Sequence, residues 1–293
     1  MLTEQQNTRS QDLDQLTTEQ ILQVMNDEDA TVHRVVREAL PDIARAVDAA
    51  AQALRGGGRL IYVGAGTSGR LGVLDAVECI PTFSAQAGQV VGIIAGGTKA
   101  LTQAVEGAED DGHAGADDLR AADLQARDVV VGLAASGRTP YVVGALNYAT
   151  EVGAQTVGVS CNVPSTVLDA AHIKIAVPVG PEVVTGSTRL KAGTAQKMVL
   201  NMLSTGTFVQ VGKVYGNLMV DVQVTNAKLH DRAKRIVMQV SGADESTAKA
   251  LLAASGNSAK LAIVMYMRGV EADHARTLLH AAHGRLRAVL QDA

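Results

Sequence analysis

The stretch Val63-Gly64-Ala65-Gly66-Thr67-Ser68-Gly69-Arg70-Leu71-Gly72 follows an apolar run, Leu60-Ile61-Tyr62-Val63, and precedes a segment, 71–78, that reads as a helix. This layout predicts a strand feeding a phosphate cradle. Gly66 and Gly69 let several backbone N–H groups face one anion, Thr67 and Ser68 add hydroxyl donors, and the helix N-terminus adds a favourable dipole. A phosphorylated ligand is expected there.

Working outward, β-rich runs at 60–63, 90–95, 129–133, 156–160 and 173–177 alternate with helical stretches at 70–78, 98–108, 141–151 and 167–171. The alternation predicts an α/β fold, a doubly wound five-stranded parallel sheet covered on both faces through right-handed crossovers. Ligands of such sheets sit at the carboxyl ends of the strands. Those ends carry the loops 64–69, 96–97, 135–139 and 180–188. Upstream, Val32, Val35, Val36, Leu40, Ile43 and Val47 recur at helical spacing, with Pro41 marking a helix start or a kink. Residues 3–16 are polar with little periodicity, which leaves open a disordered end or an arm packed on a neighbour. A long helix is expected over 191–211, where Met198, Leu200, Met202 and Leu203 suit either a core or a dimer interface. Beyond Asp221 the pattern turns to short helices broken at Gly242, Gly256 and Gly269. The expected division is an N-terminal arm with helices (1–49), a sugar-phosphate-binding domain (50–224) and a small C-terminal helical domain (225–293).

Composition narrows the function. The chain has 293 residues, a formal net charge of -4, 47% hydrophobic residues and 2% aromatic residues, with no Trp. Dispersed basic residues and the lack of a stacking platform argue against nucleic acid. No run is long and apolar enough to span a bilayer, and the N-terminus lacks the basic start and apolar core of a leader, so a cytoplasmic protein without a membrane partner is expected. Cys79 and Cys161 have no zinc-binding spacing and read as buried small apolar groups. The seven histidines likewise show no metal-ligand spacing, so no metal is expected.

Taken literally, Gly64-x-Gly66-x-x-Gly69 matches the dinucleotide fingerprint. That fingerprint also needs an acidic residue at the end of the second strand, where this chain has Gly96-Gly97. Hydroxyls at the turn suit a terminal phosphate monoester instead. A second loop, Ala134-Ala135-Ser136-Gly137-Arg138-Thr139-Pro140, repeats the theme. Helix capping explains Ser136 or Thr139 singly, but not two such loops on one rim. Arg70 and Arg138 are candidate anion partners, with solvated surface charge as the plainer alternative. The loop over 180–197 offers Ser187, Thr188 and Lys191 for sugar hydroxyls or the phosphate, or as caps of the following helix. For proton transfer, Glu78 lies in the apolar context Asp75-Ala76-Val77-Glu78-Cys79-Ile80-Pro81-Thr82, which would raise its pKa. Glu106 and Glu109, spaced i and i+3, would share one face of a helix. The plainer reading of that acidic cluster is a solvated helix end.

Together these motifs closely resemble the N-acetylmuramic acid 6-phosphate etherases of the sugar isomerase superfamily, relatives of glucokinase regulatory protein. The resemblance runs nearly end to end, through Asn26-Asp27-Glu28-Asp29, the loop to Arg70, and the segments 75–82, 106–110, 136–141, 185–197 and 216–221. Ile80 departs from the family, which usually has a second proline beside Pro81. The resemblance implies cleavage of a D-lactyl ether in amino-sugar and cell-wall recycling, without metal or redox cofactor. It implies Glu78 as proton donor to lactate and Glu109 as the second catalytic residue and base at C2. It also implies Thr67, Ser68, Ser136, Gly137 and Thr139 as phosphate ligands, and a homodimer with sites near the interface. A sugar-phosphate isomerase and a non-catalytic sugar-phosphate sensor are the rival readings.

Overall fold

The computed structural model describes residues 1–224 and 226–291; the expected third division thus includes Thr225, Asp292 and Ala293, which lie outside the described residues. Five strands, β1 (Leu60–Gly64), β2 (Val90–Ile94), β3 (Val129–Ala134), β4 (Gln155–Ser160) and β5 (Ile173–Ala176), pair in parallel in the order β2-β1-β3-β4-β5. The helices around them are α1 (Thr18–Asp29), α2 (Val32–Glu38), α3 (Leu40–Arg55), α4 (Gly66–Phe83), α5 (Gly112–Ala121), α6 (Pro140–Val152), α7 (Thr166–Asp169) and α8 (Lys191–Gln210).

Period-two alternation splits each strand between two cores. Leu60 and Tyr62 of β1 and Val129, Val131 and Leu133 of β3 pack with Val36, Ile43 and Ala50 from α2 and α3 and with Val199 and Leu203 from α8. Ile61, Val63 and Val130, pointing the other way, pack with Leu119 of α5 and Val142, Leu146 and Ala149 of α6. All five residues of β1 and all six of β3 are buried, as a parallel sheet covered on both faces requires. The fold is therefore the doubly wound five-stranded sheet expected.

Three local expectations need correction. The stretch 98–108 is not a helix: it holds a 3-10 turn, Thr98–Leu101, followed by irregular turns, and the helix of this crossover is α5. Gly107, at φ 75°, takes the left-handed conformation that interrupts a helix, and Asp111 starts a new one by accepting from the N–H groups of His113 (2.9 Å) and Ala114 (3.1 Å). Helix α4 begins at Gly66, so the cradle is its first turn. Residues 3–16 are not a disordered end; they pack on the chain's own sheet domain. Thr3 is fully buried, its N–H donating to Asn162 Oδ1 (3.2 Å) while Asn162 Nδ2 donates to Thr3 Oγ1 (2.9 Å). Farther along the arm, Asn7 Nδ2 donates to Glu28 Oε2 (2.9 Å) and Ser10 Oγ to the Val183 carbonyl (2.8 Å).

The chain divides into two compact units, residues 1–77 with 88–206, and residues 78–87 with 207 onward. The second is helical, with α9 (Ala227–Ser241), α10 (Glu245–Ala254), α11 (Ala259–Arg268), α12 (Ala272–Ala281) and α13 (Leu286–Gln291). Its core gathers Val220, Ile236, Val237, Leu252, Leu261, Val264 and Leu286. Within it Phe83 stacks on Phe208 at 4.7 Å, and the buried Lys260 ammonium pairs with Asp221 and donates to the carbonyls of Gly212 (2.9 Å) and Gly284 (3.0 Å). Among the described residues, no single helix is long and apolar enough to cross a membrane.

Candidate active site

In the order β2-β1-β3-β4-β5 the crossovers leave β1 in opposite directions, so a crevice opens beyond the carboxyl ends of β1 and β3. A cavity of about 460 Å³ occupies that place. From the β1 side it is lined by Ala65, Gly66, Thr67 and Ser68, and from the β3 side by Ser136, Arg138 and Thr139. Glu109, Asp110, Thr188 and the arm residues Met1 and Glu4 complete its wall.

Close approach shapes the cradle. A Cβ on Gly69 would sit 2.6 Å from the Gly64 carbonyl oxygen, and one on Gly64 would sit 2.8 Å from the Gly69 nitrogen, so the first turn of α4 lies directly on the end of β1. The opening N–H groups of α4 have no intrahelical partner and face the crevice with the positive end of the dipole. Ser68 Oγ donates to Gln196 Oε1 at 2.9 Å, tying the cradle to α8. About two turns farther along α4, the buried Asp75 accepts from Tyr62 Oη (2.9 Å), Asn201 Nδ2 (2.7 Å) and Ser204 Oγ (3.1 Å). Burial pushes its pKa above the usual carboxylate value against the pull of those hydrogen bonds.

The β3 loop leaves its hydroxyls to the cavity. Thr139 occupies the N-cap position of α6 but makes no side-chain capping bond; it stands 3.4 Å from Ser136 Oγ, which accepts from the Arg138 N–H at 3.2 Å. Gly137, at φ 72°, folds this loop back so closely that a Cβ would lie 2.4 Å from Ser160 Oγ. The third loop behaves similarly. The start of α8 is capped by Glu182, which accepts from the N–H groups of Lys191 (3.0 Å) and Ala192 (2.9 Å), and Thr188 is left lining the cavity.

A second cavity, about 200 Å³, shares Ala65, Gly66 and Glu109 with the first. Its remaining wall includes Arg70, Ala95, Ala100, Ala104, Val105 and Glu106. Glu109 thus stands on the partition, and its loop is held to the start of α6 by the Tyr141 N–H, which donates to the Glu109 carbonyl at 3.1 Å.

Relatives from Aeromonas hydrophila subsp. hydrophila and Salmonella typhimurium, each named N-acetylmuramic acid 6-phosphate etherase, are 56% identical to this chain. The first aligns over 97% of this chain and 95% of its own length, the second over 99% and 98%. The chain belongs to the N-acetylmuramic acid 6-phosphate etherase family. Its parts match broader groups: the N-terminal SIS domain of glucokinase regulatory protein over residues 42–150, the SIS domain over 99–206, and the C-terminal lid domain of glucokinase regulatory protein over 216–263. Among solved structures, a phosphoheptose isomerase from Francisella tularensis covers 66% of this chain and 100% of its own at a TM-score of 0.50 and 16% identity, a likeness of fold alone.

Within this etherase-family chain the residues singled out by sequence are distributed unevenly. Gly66, Thr67, Ser68, Ser136, Arg138, Thr139 and Glu109 line the larger cavity, and Arg70 lines the smaller. Gly69 and Gly137 shape the loops from behind. Ser187 and Lys191 line neither cavity; Lys191 is 3% exposed with its ammonium on Glu28 at 2.5 Å, so the place expected for it among the ligands is taken by a buried ion pair. Glu78 is exposed rather than in the apolar setting expected, and it lines neither cavity. Glu106 and Glu109 reach the cavities from turns instead of one helix face. Met1, Glu4, Asp110 and Gln196 were not legible as site residues, since the arm's contacts and the α8 contact join segments far apart in sequence.

Proposed function

We propose that this chain cleaves the D-lactyl ether at C3 of N-acetylmuramic acid 6-phosphate, giving N-acetylglucosamine 6-phosphate and D-lactate with uptake of one water. The observation that carries the reading is the convergence of two hydroxyl-bearing loops and Glu109 on one crevice, in a chain so close to the etherases over nearly its whole length. The phosphate is held by the opening N–H groups of α4 with Thr67 and Ser68, and by Ser136 and Thr139 on the loop that Gly137 folds, with Arg138 supplying positive charge. In the open-chain sugar, C2 lies beside the aldehyde. Glu109 removes its proton, the resulting enolate expels lactate from C3, and water adds to the unsaturated aldehyde. We further assign Glu78 as the proton donor to departing lactate on the family's motif alone, since it lines neither cavity of its own chain.

The same reading includes a homodimer with sites near the interface. The exposed apolar side chains Leu74 and Val77, on the same helix as Glu78, support it as a face for a second copy. The residues expected as sugar-phosphate-binding domain, 50–224, carry the cradle, and the cytoplasm is the compartment that suits such a substrate. Incubation with N-acetylmuramic acid 6-phosphate should release D-lactate. Glu109→Gln and Glu78→Gln should each stop that release while N-acetylglucosamine 6-phosphate still binds. Interconversion of aldose and ketose without lactate would identify an isomerase, binding without turnover a sensor, and either result would overturn the proposal.

A further inference from the structure

The two cavities that meet at Glu109 differ in chemistry. The larger presents hydroxyls and backbone N–H groups, the donor set for a phosphate monoester; the smaller has small apolar walls at Ala95, Ala100, Ala104 and Val105 and one cation, Arg70. We infer that the smaller cavity is the subsite for the lactyl group, with Arg70 binding its carboxylate and the alanines and Val105 receiving its methyl. The inference rests on the etherase reading above and extends it.

The substrate carries two anions, a phosphate on C6 and a carboxylate on the C3 substituent, and the bond to be cut lies between them. One anion cradle fixes only one end. Two adjoining cavities fix both, and they place the scissile region at their shared wall, where Glu109 stands. Arg70 does not line the larger cavity, which argues against the role in phosphate binding that its sequence position suggests. Its Nε donates to the Leu101 carbonyl and its Nη2 to the Gln103 carbonyl, both at 3.3 Å. These bonds set the plane of the guanidinium and use two of its five donors, leaving an edge for a carboxylate. Glu106 on the same wall opposes a second anion, but it is exposed and screened by water, whereas Arg70 is half-buried. A lysine in place of Arg70 would supply charge without the fork that fixes the carboxylate's orientation.

The test compares wild type with Arg70→Met on three molecules: the normal substrate, an analogue with the lactyl carboxyl converted to an amide, and N-acetylglucosamine 6-phosphate as inhibitor. Losing a charge-assisted contact should lower kcat/KM on the normal substrate about 10- to 100-fold. Inhibition by N-acetylglucosamine 6-phosphate, which lacks the lactyl group, should change less than about twofold, which also reports that the variant is folded. The variant should process the amide about as well as wild type does. Ala104→Leu, filling the methyl side of the cavity, should weaken the normal substrate and spare the inhibitor. An equal loss of inhibitor affinity in Arg70→Met would assign the arginine to the phosphate and overturn the subsite, as would unchanged kcat/KM. Failure of wild type to release lactate at all would instead overturn the etherase reading itself.

Discussion

Replacing Lys191 by methionine separates a structural ion pair from a ligand. Lys191 and Glu28 are 3% and 7% exposed, and Lys191 Nζ donates to Glu28 Oε2 at 2.5 Å. At an effective dielectric of about 20 their attraction is roughly 6–7 kcal/mol, a gross figure that the desolvation of two buried ions largely offsets. Removing one partner is different, because the other charge stays buried. Glu28 would keep only the Asn7 amide at 2.9 Å and Arg9 Nη1 at 3.0 Å, the latter on a side chain that is 51% exposed. Stranding a buried ion typically costs about 3–5 kcal/mol, and with Arg9 remaining the lower end applies. For a domain of this size about 3 kcal/mol corresponds to a fall in Tm of roughly 6–12 °C. Thermal unfolding of Lys191→Met, Glu28→Gln and the double variant provides the assay. The double variant should recover at least about 2 kcal/mol relative to the summed singles, since neither charge is then left alone. Folded Lys191→Met should still bind N-acetylglucosamine 6-phosphate. Unchanged Tm together with lost binding would refute the reasoning and return Lys191 to the ligand set.

The same carboxylate gives a pH signature. Burial pushes the Glu28 pKa up, but hydrogen bonds from Lys191 and Asn7 and the charges of Lys191 and Arg9 outweigh it, leaving it below the usual glutamate value. Its contribution is therefore present above the unfolded value of about 4.3 and lost as pH falls through the folded one. Wild-type Tm should drop more steeply than that of Glu28→Gln below that pH, and parallel curves would contradict the assignment. In the β3 loop, Gly137→Ala introduces a Cβ 2.4 Å from Ser160 Oγ at a φ of 72°. It should cost about 1–3 kcal/mol in unfolding experiments and, by displacing Ser136 and Thr139, weaken inhibition by N-acetylglucosamine 6-phosphate about tenfold or more. Normal affinity in a folded variant would show that this loop does not hold the phosphate.

The sheet was legible because its signals are local. Runs such as Leu60-Ile61-Tyr62-Val63 are apolar throughout, as strands buried on both faces must be, and each is punctuated by glycine where the chain turns over the rim. The cradle shared that advantage, since Gly66, Thr67 and Ser68 directly follow the strand that places them. What escaped depends on partners remote in sequence. Lys191 reads as a loop cation until Glu28, 163 residues away, is brought beside it. The arm reads as an undecided polar end until Asn162 buries Thr3. The capping role in α8 went to Glu182, whose carboxylate reaches forward nine and ten residues, beyond the short spacing that identifies a capping box.

The misread crossover has the most to say about chemistry. Had 98–108 been helical, Glu106 and Glu109 would have stood one turn apart on one face and addressed the same surface. With Gly107 in the left-handed region between them, the chain turns instead, and the two carboxylates part: Glu106 lines only the smaller cavity, whereas Glu109 lines both. The Tyr141 N–H holds that turn to the first residues of α6, next to the loop that carries Ser136 and Thr139. A β-elimination needs its base at the carbon beside the leaving group, with the anchored end of the substrate on one side and the departing fragment on the other. As the base proposed above, Glu109 meets that need from an irregular turn between two cavities, where a helix would not. Restoring regular backbone at Gly107 is therefore the change that would damage catalysis without touching a single phosphate ligand.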